Sequence, residues 1–238
     1  MKVRRCDWRR KQRAKPRLPI VCLLGVCIGF VGLIGDSRAL ELDTLIDRIQ
    51  VTYDRMQALT ADFEQIAILK SINRQQVSSG RLYIEKPHWI RWEYDKPERQ
   101  TILYDGSALH IYTPKRQQLL QSAVDERTRS NVALLFLAGV VKLRDVFAIT
   151  ALPETEAAQL FIRLLPRSRL AGFTELRAAV NPRSYFIEGL WIHDPIGNLT
   201  EIRLSSLTVH AALPAHTFEL DLPPGTEILS PSDFATPR

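Results

Sequence analysis

Beyond residue 27 the chain has no cysteine. Its three cysteines, Cys6, Cys22 and Cys27, all lie close to the N-terminus. A body that starts at residue 40 therefore has no disulfide, no thiol nucleophile and no Cys-ligated metal. Gly-x-Ser-x-Gly is missing, and with it the nucleophile elbow of a Ser–His–Asp hydrolase. There is no P-loop and no Gly-x-Gly-x-x-Gly. The five histidines, His88, His110, His193, His210 and His216, fall in no close ligand spacing, so no metal site is expected. The carboxylates are not grouped on apolar strand faces, and no acid–base pair stands out. The expectation is a protein that is not an enzyme and that needs no cofactor.

Excess charge of one sign is also missing from most of the chain. The net charge of +6 suggests a nucleic-acid partner, but the first 39 residues hold ten Lys/Arg against two acids. The rest carries 22 basic and 24 acidic side chains, so it is nearly neutral. Tyr83, Trp89, Trp92, Tyr94, Tyr104 and Tyr112, interleaved with Lys86, Arg91, Lys96 and Arg99, mimic a single-strand platform. A neutral, exported domain argues against that reading, and no nucleic-acid partner is expected. With 45% hydrophobic and 24% charged residues, the composition is that of an ordinary globular protein.

Residues 1–17 are crowded with Arg and Lys, residues 18–35 are apolar, and Ser37 and Ala39 follow as small residues two apart. That is the three-part pattern of a secretory signal peptide, here residues 1–39 with a cut after Ala39. The alternative is an uncleaved anchor, because 18 apolar residues could just span a bilayer. Residues 40–238 show no repeat at a solenoid period and no low-complexity linker, which reads as one domain.

Leu42, Leu45, Ile46, Ile49, Tyr53, Met56 and Leu59 make one apolar stripe, predicting a helix with Thr44 and Asp47 as its capping box. Asp47, Arg48, Asp54 and Arg55 read as its solvated face. From residue 63 the period changes to two. Strands are expected at 63–69, 80–85, 90–94, 101–104, 108–112 and 115–121, with Asp105-Gly106 as a hairpin turn. Residues 125–140 read as one or two short helices. Strands resume at 146–152, 159–165, 173–180, 185–193, 199–209 and 217–222, the last alternating Phe218, Leu220 and Leu222 against Thr217, Glu219 and Asp221. Links this short exclude parallel crossovers. The fold class is mainly β: a single unclosed, strongly curved antiparallel half-barrel of about ten or eleven strands. An N-terminal helix and a mid-sheet helical insert would cover its apolar concavity.

Specific residues bring a resemblance. Gly80-x-Leu82 leads to Lys86-Pro87, then Ile90-Arg91-Trp92-Glu93-Tyr94 and Pro97, then Asp105-Gly106, Leu109, Tyr112 and Pro114. Phe63-Glu64-Gln65, Asn131 to Leu137, Asp194 to Ile202 and Phe218 to Gly225 follow the same order. Together these resemble the outer-membrane lipoprotein carrier family, LolA, over residues 40–229. The resemblance implies a periplasmic, monomeric carrier that accepts acylated lipoproteins from an inner-membrane ABC lipoprotein-release complex and passes them to an outer-membrane acceptor. Strand parity puts Ile90, Trp92 and Tyr94 on the inner face, with Leu82, Ile84, Leu109 and Ile111 on neighbouring strands; together with Leu135 and Phe136 these would line its lipid-binding cavity. Many members carry Arg, which helps latch the lid, where this chain has Lys86, so Lys86 is expected to contact the lid. A periplasmic or membrane-tethered sensor or regulator, or another lipid-binding module on the same half-barrel, is the alternative.

Overall fold

The computed structural model describes residues 34–123, 142–153, 159–168 and 172–234. Its first element is helix α1, Ile34–Arg55. Ile46, Ile49 and Tyr53 form its buried stripe, with Leu42 and Leu45 packed alongside. Two expectations are corrected here. The helix starts upstream of Thr44 and Asp47, because Arg38, Ala39, Leu40 and Glu41 are good helix formers and nothing after Gly35 breaks them. It also ends before Leu59, which belongs to the first strand. Leu59 shares the spacing of the helical stripe and, equally, the alternation of Leu59, Ala61 and Phe63, all buried. The charged face is not simply solvated: Asp47 accepts from the Arg144 guanidinium, and Arg48 donates to the Tyr185 hydroxyl.

Six strands follow as a meander: β1 Ala58–Leu69, β2 Arg74–Glu85, β3 Trp89–Lys96, β4 Gln100–Tyr104, β5 Ala108–Thr113 and β6 Gln118–Ala123. The β4–β5 turn is fixed as expected. Gly106 has φ +92°, a region open to glycine, and the Asp105 carboxylate accepts the Ser107 and Ala108 N–H groups at 2.8 and 2.7 Å. The expected insert at 125–140, with Leu135 and Phe136, lies outside the described residues. A short helix α2, Leu143–Val146, then opens a second meander: β7 Phe147–Leu152, β8 Leu160–Pro166, β9 Glu175–Val180, β10 Ile187–His193 and β11 Leu199–His210.

All of these strands join one open, curved sheet of twelve, ordered β12-β6-β5-β4-β3-β2-β1-β11-β10-β9-β8-β7, where β12 is Glu227–Leu229. The two meanders meet at a single seam, β1 against β11, with Phe63 opposite Leu204 and a register shift between Thr60 and Asp62. The last strand departs from expectation twice. Residues 217–222 are not a strand: a 3-10 turn, Ala215–Phe218, leads into irregular chain. The strand that does close the sheet, β12, runs parallel to β6. The alternation of Phe218 and Leu220 arises because the segment lies against the outer face of β3. There Phe218 stacks on Trp89 at 5.5 Å, and Arg91 donates to the carbonyls of Thr217 and Glu219 at 3.2 and 2.8 Å. Half-burial produces period two whether or not a ladder forms.

Candidate functional site

The side chains of β1, β2 and β3 alternate between two faces. The ladder register sets Leu59, Ile84 and Ile90 in one row, Ala61, Leu82 and Trp92 in the next, and Phe63, Gly80 and Tyr94 in a third. The rows continue through Ile102 and Tyr104 on β4 to Ile111 and Leu109 on β5. This inner face is apolar. It forms one core with α1 and with Ile162, Leu164, Leu176, Leu190, Ile202 and Leu204 of the second meander. Burying so much apolar surface is the main stabilising term of such a sheet, at about 25 cal/mol per Å².

Of the nine residues expected to line a cavity, Leu82, Ile84, Ile90 and Trp92 are between 0% and 3% exposed and lie in this core. Tyr94, Leu109 and Ile111 are half-buried on the same face. Leu135 and Phe136 lie outside the described residues. The sequence reading missed the contribution of Phe63, which meets Trp92 and Tyr94 edge-on at 4.7 and 4.9 Å. It also missed the inward residues of the second meander; their alternation was visible, but nothing in it told which face looks at α1. Gly80 is bare for a reason: a Cβ there would stand 1.9 Å from the Glu93 carbonyl oxygen, where β2 and β3 shift register.

Lys86, in the β2–β3 turn, donates through Nζ to the carbonyls of Tyr53 and, at 3.3 Å, of Asp54. These are carbonyls of the last turn of α1, which have no partner inside the helix. Burial lowers the Lys86 pKa, and the nearby Asp54 charge opposes it. Leu143, at the start of α2, donates its N–H to the Gln50 side chain at 3.1 Å, and Arg144 donates to the Asp43 carboxylate at 3.0 Å, so α1 is tied along its middle as well as at its C-terminal turn. Burial pushes the Tyr94 hydroxyl up to about 12 and that of Tyr53 well above its ordinary value. Tyr94 donates to Gln65 at 3.0 Å; Tyr53 accepts the Ile187 N–H at 3.2 Å.

A cavity of about 770 Å³ opens on the opposite face of the sheet. Asp62, Glu64, Ser79, Arg203 and Ser205 line it with Trp191, and all alternate with the inward rows. It is polar, and it contains none of the nine expected residues. Among the described residues no three His, Cys, Asp or Glu side chains gather around a possible metal position. No described helix is long and apolar enough to cross a membrane.

An open, almost wholly antiparallel sheet that curves its apolar face around a helix defines the class of unclosed half-barrels. Residues 54–221 match the family described as outer membrane lipoprotein carrier protein LolA, and the chain belongs to that family. It is 29% identical over 184 residues to the outer-membrane lipoprotein carrier protein of Azotobacter vinelandii, covering 77% of this chain and 87% of that one. It is 27% identical over 184 residues to the protein of the same name from Pseudomonas aeruginosa, covering 77% and 86%. A solved structure of an uncharacterized conserved protein from Thermus thermophilus shares the fold, with a TM-score of 0.51 at 12% identity over 80% of this chain and 99% of that one.

Proposed function

We propose that this chain is a periplasmic, non-enzymatic carrier. It binds the acyl chains of lipoproteins against the inner face of its sheet and shuttles them from the inner membrane to the outer membrane. In this reading it takes its cargo from an inner-membrane ABC lipoprotein-release complex, gives it up to an outer-membrane acceptor, and reaches the periplasm by losing residues 1–39. The observation that carries the reading is the family match laid over a continuous apolar face, Leu82, Ile84, Ile90 and Trp92, closed by a separate helix rather than by a second sheet. One 16-carbon chain left in water costs on the order of 10 kcal/mol, at about 0.8 per CH₂. A carrier must hide that surface and then release it. A helix held by Lys86 at its last turn and by the Leu143 N–H and Arg144 along its length is an element that can be displaced without unfolding the sheet.

The test is native mass spectrometry of the protein from the periplasm of its own host, followed by transfer to outer-membrane vesicles. A bound acylated lipoprotein, handed on to the vesicles, is the expected result. A protein that carries no lipid and takes none from purified lipoprotein would overturn the reading and favour a sensor.

A further inference from the structure

Along β1, β2 and β3 the inner face changes character. At one end the row Leu59, Ile84 and Ile90 is wholly apolar. Two rows further on stand Gly80 and Tyr94, and beyond them Gln65 opposite Ser78, whose side chain is buried. The Tyr94 hydroxyl already donates to Gln65. Trp92 sits at the boundary between these two regions. It is 3% exposed, and its indole N–H, fully buried, has no hydrogen-bond partner among the described residues. Its ladder neighbours are Leu82 and Ile102, and the Phe63 ring lies edge-on beside it. None of these side chains offers an acceptor. A buried donor left unpaired costs free energy that replacing it with an apolar ring would remove.

We infer that the indole N–H of Trp92 is the hydrogen-bond donor for an acyl carbonyl of the bound lipid. The inference rests on the acyl-carrier reading above. An acylated ligand has the same polarity as this face. Its hydrocarbon tail matches the Leu59–Ile84–Ile90 end, and its ester or amide carbonyl, the first polar group met along the chain, falls where the face turns polar. An indole N–H donates and does not accept, so it is satisfied by an acceptor such as a carbonyl oxygen and left unpaired by hydrocarbon alone. Among the described residues the donor has no partner in the closed core. Paired with a carbonyl, it favours the loaded state over the empty one.

The test compares the full chain with Trp92→Phe, which keeps an aromatic ring against Phe63 and removes the donor. A charged replacement is unsuitable, because a carboxylate at this depth would unfold the sheet. Two probes are used: a synthetic lipopeptide with ester-linked palmitoyl chains, and its ether-linked counterpart with the same chain lengths. The expected result is a loss of roughly tenfold in affinity for the ester-linked probe, the size of one net hydrogen bond, with the ether-linked probe unchanged. Equal loss for both probes, or no loss for either, overturns the inference and leaves the carrier reading intact. If the unaltered chain binds neither probe, the carrier reading falls and takes this inference with it. Should Trp92→Phe fail to fold, the indole ¹⁵N–H resonance that shows contacts to Phe63 decides the matter in the unaltered chain. It should move downfield with the ester-linked probe and not with the ether-linked one; the same shift with both overturns the inference.

Discussion

The Lys86 ammonium donates to the backbone carbonyl of Tyr53, so a residue in the β2–β3 turn caps the helix that closes the inner face. The pairing joins lid and sheet through a single flexible side chain. Lys86→Met should cost about 1 kcal/mol, the net worth of a hydrogen bond at a helix C-terminus. Amide exchange in the last turn of α1 should quicken, while the β1–β2 ladder keeps its protection. Lys86→Arg retains donors of similar reach and should restore most of both. Exchange that quickened equally across the ladder would show that Lys86 supports the sheet and not the helix end.

Gly80→Ala should be among the most damaging small changes available. The added methyl carbon would overlap the Glu93 carbonyl oxygen, and backbone cannot step aside as a side chain can. A loss of about 3 kcal/mol or more is expected, read as a lower urea midpoint with unchanged slope. A midpoint within experimental error of the original would mean that the strands part there at little cost.

Tyr94 supplies a pH test of the inner face. Its hydroxyl pKa is raised to about 12 by burial, above the ordinary value of about 10. A group whose pKa is raised by folding adds stability below its unfolded pKa and loses that contribution as pH climbs through the folded value. Stability should therefore fall between about pH 10 and 12, and Tyr94→Phe should flatten part of that fall. An unchanged slope in the variant would place Tyr94 in contact with water.

Asp105 behaves in the opposite direction. Burial alone would raise its pKa, but the Ala108 and Ser107 N–H groups, the Ser107 hydroxyl and His110 outweigh it and hold the carboxyl well below the usual range. Its contribution is present above its ordinary pKa of about 4 and is lost as pH falls through the lower folded value. Asp105→Asn should lower stability at neutral pH by about 1 kcal/mol and make the acid limb below pH 4 shallower. A parallel acid limb would assign that dependence to other carboxylates.

How much of this was legible beforehand depends on how each segment is buried. The strands from Leu82 to Tyr112 were readable because one face looks into the core and Pro87, Pro97 and Gly106 punctuate them. The first half of β2, from Arg74 to Val77, was not, because it is exposed and held only by its ladder to β1. The segment around Phe218 misled for the reverse reason: it is half-buried without being paired. The inward set Leu82, Ile84, Ile90 and Trp92 could be named from parity alone. That the Trp92 N–H has no partner among the described residues could not, since its surroundings include Phe63 and Ile102, which arrive from other strands. Nor could the choice of β11 as the partner of β1, made across some 140 residues of chain.

That seam has a kinetic consequence. Each meander is built from neighbours in sequence and can form quickly, whereas the β1–β11 pairing must wait for the far end of the chain and pay a long loop closure. Because synthesis runs from the N-terminus, β1 spends an interval as a twelve-residue edge with one side of its backbone unpaired. An edge of that length invites pairing with another chain. Until residues 199–210 arrive, the half-made sheet is a candidate for aggregation, and the yield of native protein should depend on how well that one edge is shielded.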